Sequence, residues 1–272
     1  MNWARYAAGL SMAAAAISAQ AAPPVADFFK NAQLNDVKLS PSGRYLAATR
    51  RNDKTNYQML VVIDLGDKRE AKVLASYNDS DVMQVHWVND DRIVFELGDQ
   101  SSTYFNQYGR GLFSVSRAGD ENPKALVRRD WGPTEVNLSS QGVRVRPRDN
   151  SLDPDHWFHS TLLDGSLNVM VEKGRFDTTD HTLLSTQLIR VNSDTGRNEV
   201  VGREVSGQAR EWVTDAHGNP RVAFASTKDV TRILWRADPA SDQWTALREM
   251  PRYDKVTGRD PILDVQIGRA HV

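Results

Sequence analysis

His156 and His159, three residues apart and close to Asp153 and Asp155, form the densest set of potential metal ligands in this 272-residue chain. Imidazoles at that spacing share one face of a helix, and zinc accepts such nitrogen donors. The segment DPDHWFHS reads instead as a turn entering a strand, where residues i and i+3 point to opposite faces. The expectation is a strand with a buried Trp157, and neither a metal nor a cofactor. His217 lies in DAHGNP and would need a serine and an acid beside it to act as a base; Gly218, Asn219 and Pro220 make it a turn residue. His86 precedes Trp87 inside a strand pattern, where it packs or faces solvent. His181 sits in a polar interval without an assignable role, and His271 belongs to the final residues.

Arg128, Arg129, Asp130 and Trp131 could hold a peptide carboxylate, because an arginine fork and an indole face suit that contact. A solvated connection with a packed Trp131 is the simpler reading. Tryptophan stands at positions 3, 87, 131, 157, 212, 235 and 244. Trp87, Trp157, Trp212, Trp235 and Trp244 fall in predicted strands, which favours core packing over carbohydrate stacking. Cysteine is absent, which removes disulfides, thiolate zinc sites and cysteine nucleophiles together. With 34 Lys+Arg against 35 Asp+Glu the net charge is −1, so the basic excess that displaces counterions from nucleic acid is missing. There is no glycine-rich phosphate loop.

The elements that must position these residues are short and repeated. Composition is that of a globular protein, 40% hydrophobic and 25% charged, so a core can form. At the N-terminus, Arg5 precedes an apolar small-residue stretch over residues 7–19 and an Ala19-Gln20-Ala21 site. That is the pattern of a cleavable export signal over residues 1–21, and it predicts a periplasmic or secreted product. No later segment reaches the ~20 apolar residues of a membrane helix. The last six residues, IGRAHV at 267–272, resemble one translated frame of a sequencing adapter and are set aside from the fold. On that expectation the gene product continues past what is shown.

Between these ends four stretches place Asp, Asn, Gly or Pro just before an aromatic or β-branched run: SPSGRYLAAT, NDDRIVFEL, DPDHWFHSTL and DAHGNPRVAF. Such punctuation marks hairpins. Each is followed by an apolar strand (MLVVIDLGD, GLFSVSRAGD, QLIRVNSDTGR, ILWRADPASD) and then a short one (AKVLAS, PKALVR, NEVVGR, WTALRE). With a leading strand in DVKLS, VMQVHWV, the run around GVRVRP and REWVT, each unit has four strands. Four-stranded units at a loop-lengthened WD40-like period are propeller blades. The predicted fold is all-β: a partial propeller of about four blades over residues 25–264, opened by one short helix at residues 25–34. Residues 165–184 break the period and read as a loop or small hairpin inserted in the third unit. A β-sandwich is the structural alternative, but four similar groups exceed its ~7 strands.

The sequence DFFKNAQLNDVKLSPSGRYLAATR resembles the opening of the propeller domain in bacterial prolyl oligopeptidase-family serine peptidases. VHWVNDDRIVFE, LIRVNSDTGR, EWVTDAHGNPRVAF and ILWRADPASDQW look like later blades of the same group, and are shared more weakly with Tol-system propellers and other WD40-like domains. The resemblance implies a C-terminal α/β-hydrolase domain as partner, with Ser, Asp and His, and short peptides as substrates. The G-x-S-x-G elbow that exposes such a serine does not occur here; Gly9-Leu10-Ser11 has Ala13 where the closing glycine belongs. No catalytic residue carries over. In the aminopeptidase branch acidic propeller residues hold a free amine, and Glu135 and Glu172 are residues of that sort. The expected function is the non-catalytic propeller of an exported serine peptidase, gating peptide access to a hydrolase domain outside this chain. The alternative is a free-standing periplasmic propeller that binds another protein.

Overall fold

A computed structural model describes residues 34–66, 71–99, 110–129, 136–137, 144–145, 150–205, 209–227 and 229–251. The first sheet holds β1 (Leu34–Leu39), β2 (Tyr45–Arg51), β3 (Gln58–Asp64) and β4 (Ala71–Ala75) in sequential antiparallel order. The second repeats that order with β5 (Asp81–Asn89), β6 (Arg92–Gly98), β7 (Leu112–Ser116) and β8 (Lys124–Val127). A small pair, β9 (Val136–Asn137) and β10 (Arg144–Val145), stands apart. The third sheet is β11 (His156–Thr161), β12 (Asn168–Phe176), β13 (Leu183–Asn192) and β14 (Asn198–Val201). The fourth is β15 (Ala209–Thr214), β16 (Pro220–Ser226), β17 (Val230–Trp235) and β18 (Thr245–Pro251). Four up-and-down sheets of this kind are the blades of a partial propeller.

The local reason is turn chemistry. Between β1 and β2, Gly43 takes φ 74°, and its N–H donates to the Ser40 carbonyl at 2.9 Å. Gly218 does the same between β15 and β16 at φ 77°. A Cβ there would also lie 2.7 Å from the Leu162 side chain just past β11, so glycine is favoured by its backbone conformation and by the close approach.

Burial follows the strand period of two. Ala47, Leu60 and Val62 of the first sheet meet Val82, Val85, Ile93 and Phe95 of the second. Val88, Val94 and Leu126, on the other face of the second sheet, meet Val169, Val171 and Ile189 of the third. Met170 and Leu188, on the third sheet's opposite face, meet Trp212, Ala223 and Ala225 of the fourth. Each of these three cores is thus a seam between consecutive sheets, and β6 accordingly reads as a buried run, Ile93 to Phe95, with no exposed alternate.

Two expectations need correction, and a third falls almost wholly on residues the structure does not describe. The helix expected at residues 25–34 lies outside the described residues except for Leu34, which opens strand β1. The third unit is shifted: HWFHST is the first strand, and the interval read as an insertion supplies the nine-residue β12 as second strand. Its polar look comes from Glu172 and Lys173, whose apolar neighbours Val169 to Val171 are fully buried. Trp244 precedes β18 instead of lying in a strand, and packs edge-on to Trp212 at 6.2 Å between centroids.

Phe95 is fully buried in the first seam. Phe95→Ala is expected to lower stability by about 3–5 kcal/mol, measured by urea denaturation; a loss under ~1 kcal/mol would show that the seam is not the core.

Candidate functional site

The first strand of every four-stranded sheet breaks register at least once. Asp36 and Val37 bulge between Asn35 and Lys38 in β1, and Gln84 and Val85 between Met83 and His86 in β5. His159 is the extra residue in β11, and Arg210 in β15. Asp36 and Gln84 take positive φ, 46° and 51°, a conformation uncommon for residues other than glycine. A bulge removes ladder partners from the backbone and re-aims a side chain. Here the freed groups are satisfied by the adjacent sheet. The Asp36 carboxylate accepts the Val85 N–H at 2.5 Å, and the Trp87 indole donates to the Lys38 carbonyl at 3.0 Å. The Thr186 hydroxyl donates to the Arg210 carbonyl at 3.1 Å and accepts from the Trp212 indole at 3.0 Å.

On β11 and β12 the bulge brings two candidate residues together. The His159 ring nitrogen Nδ1 lies 2.7 Å from Glu172 Oε1, with side chains 15% and 10% exposed. Glu172 is opposite Trp157 in the register, and Gly174 leaves room for the Trp157 ring, which would sit 2.7 Å from any Cβ there. A carboxylate bonded to one nitrogen of an imidazole sets the ring's orientation and leaves the other nitrogen as acceptor or donor.

His156 goes elsewhere. Its Nδ1 lies 2.7 Å from Asp155 Oδ1 and 2.9 Å from the Asp153 carbonyl, so the two histidines serve separate carboxylates. Among the described residues no three His, Cys, Asp or Glu side chains converge as a metal site. Burial holds the His156 imidazole below its ordinary value of 6.5, against the opposing pull of Asp155. Burial does the same to His86, reinforced by Lys38; its ring stacks on Phe158 of the third sheet at 4.3 Å. Burial also pushes the Glu96 carboxyl up, although Arg110 lies 3.4 Å away.

The other candidates are dispersed. His217 is an exposed turn residue whose N–H donates to Asp215 at 3.0 Å. His181 is exposed, at φ 57°, in the β12–β13 hairpin. Arg128 pairs with Asp153, and the Arg129 guanidinium donates to the Ser80 hydroxyl at 2.6 Å. Trp87 and Trp212 are buried in seams, Trp157 is half-buried, and Trp235 lies under the Arg221 guanidinium at 5.0 Å. Trp3, Asp130, Trp131, Glu135 and His271 lie outside the described residues. Sequence reading missed the bulges and the pairing of His159 with Glu172; the register that joins residues 13 apart is set only once β12 is recognised as a strand. Among the described residues no helix is long and apolar enough to cross a membrane.

No family model matches the chain, and no curated protein matches it. Solved structures similar to it include a puromycin-hydrolyzing peptidase of Mycobacterium tuberculosis, at 14% identity and TM-score 0.31, covering 76% of this chain and 34% of that one. An acylaminoacyl peptidase of Pyrococcus horikoshii matches at 12% identity and TM-score 0.44, covering 80% and 32%. The β-propeller domain of the Trilobed protease of Pyrococcus furiosus matches at 11% identity and TM-score 0.28, covering 82% and 84%. The chain therefore spans about a third of the length of the two peptidases. At these scores the likeness assigns no activity.

His86 and His156 give a sign-defined pH dependence. Because their folded values lie below 6.5, the unfolded chain binds more protons, so stability is full above that value and falls as pH drops through the folded values. The urea midpoint is expected to fall between pH 7.5 and 5.5, and to fall less in His86→Phe, which keeps the stack on Phe158. An equal fall in both chains would remove His86 from the account.

Proposed function

We propose that this chain is the non-catalytic propeller portion of an exported serine peptidase resembling the prolyl oligopeptidase family. In the parent protein the blades cover a separate α/β-hydrolase domain and admit only short, unstructured peptides. The observation that carries the reading is the chemistry of the two end sheets. Leu46, Val61 and Ile63 of the first sheet share the face turned away from the second, and Val222, Phe224, Ile233 and Trp235 of the fourth share the face turned away from the third. These faces repeat the composition of the internal seams; Val61 and Val222 on them are buried, while Leu39 and Val73 on the first are 57% and 49% exposed. Faces of that kind are made to receive further blades.

The ring hydrogen bonds of His156 and His159 go to the Asp153 carbonyl and to the Glu172 carboxylate, so one nitrogen of each ring is already engaged. Any contribution of the His159–Glu172 pair is then to hold a polar group of the peptide, in the way the family's acidic propeller residues hold a free amine.

Two measurements test this. A fluorophosphonate probe should leave the 272-residue product unlabelled; a labelled active-site serine on it would refute the assignment. Genomic sequence past Asp264 should encode more blades and a G-x-S-x-G elbow, whereas an early stop would favour a free-standing protein-binding propeller.

A further inference from the structure

The three seams are tied in different ways, and the difference predicts which one moves. Between the first and second sheets the ties reach inner backbone groups: Asp36 on the Val85 N–H, Trp87 on the Lys38 carbonyl, and Asp81 on the buried Gln58 N–H at 2.8 Å. Between the third and fourth, Trp212, Thr186 and the Arg210 carbonyl form a chain, and the Leu163 N–H donates to the Ala216 carbonyl at 2.9 Å. Opening either seam strands buried donors or acceptors, each of which carries a full desolvation penalty.

At one end of β8 the middle seam is tied by the chain connection itself: the Leu152 N–H donates to the Leu126 carbonyl at 2.8 Å, its carbonyl accepts the Arg128 N–H at 2.9 Å, and Arg128 pairs with Asp153. At the other, turn end the seam is tied by charges. Asp194, in the β13–β14 turn, takes Arg92 and Lys124 of the second sheet, both at 3.0 Å. The Asn89 amide reaches the Ser166 carbonyl at 3.5 Å, the limit of a hydrogen bond. Arg92 is only 11% exposed, yet Glu121 of its own sheet holds it at 2.8 Å and holds Lys124 at 3.3 Å. When Asp194 leaves, both cations keep a carboxylate and Asp194, 39% exposed, passes into water. The seam therefore opens from its Asp194 end without stranding a charge, with the Leu152 pairing to β8 as the pivot, and salt screens the tie that closes it.

We propose that the seam between the second and third sheets is a hinge latched by Asp194, about which sheets one and two move against sheets three and four as two rigid halves. The proposal stands whether or not the parent is a peptidase. The chain has no cysteine, so single thiols report on each seam separately: Val62→Cys, Ile189→Cys and Ala225→Cys replace residues 5%, 4% and 4% exposed in the first, middle and last seams. In the full chain, Asp194→Asn should speed thiol labelling of Ile189→Cys about threefold to fivefold, the scale of a partly exposed ion pair, and leave the other two sites unchanged. Raising NaCl from 0.05 to 1 M should speed the middle site selectively in the Asp194-containing chain, which keeps the test valid if Asp194→Asn does not fold. Equal acceleration at all three sites, or none at the middle one, overturns the hinge.

Discussion

Each internal sheet of this chain is apolar on both faces, and that single constraint organises the rest. An isolated four-stranded sheet with Val94 and Leu126 on one side and Ile93, Phe95 and Val115 on the other would leave one face in water whatever it packed against. Burial at ~25 cal/mol per Å² of apolar surface is recovered only when a sheet stands between two others. The cores consequently lie between sheets, and the polar residues are driven to strand edges and turns. Arg44 with Asp64, Arg117 with Asp91 and Arg221 with Asp215 all sit at the same turn end of their sheets.

Stacking by apolar contact alone would allow neighbouring sheets to slide. The bulges in β1, β5 and β15 supply register, because each exposes a backbone group at one height and a side chain of the adjacent sheet meets it there. Polar groups buried with their partners specify one arrangement where hydrophobic contact specifies many. Across the faces of β12 and β13 the middle seam is closed by apolar packing and charge, with His86 and Phe158 as its stacked rings, and its backbone pairing is confined to Leu152 beside β8. Rigidity and mobility thus follow from where backbone hydrogen bonds are satisfied.

Much of the architecture was legible because Gly, Pro, Asn and Asp punctuate the strands so regularly. For the first, second and fourth sheets the turns SPSGR, NDDR and DAHGNP marked the hairpins that form. The third sheet was misread because β12 carries Glu172, Lys173 and Arg175 between buried valines and Phe176, so its outer half has no apolar run. The pairing of His159 with Glu172 was hidden for the same reason, since both residues looked like members of other sets. Positive φ at Asp36 and Gln84 leaves no mark in composition. The Arg128–Arg129 motif was visible, but its partners Asp153 and Ser80 come from distant chain and could be found only by folding it.

The most direct measurement is the folding of one sheet without its neighbours. A peptide covering residues 76–129 contains the whole second sheet and all of its internal strand pairing. If two-sided burial holds the structure together, its circular dichroism lacks a strand spectrum and shows no cooperative melt, while residues 34–251 unfold in a defined transition. A sharp, reversible melt of the isolated sheet would contradict the account.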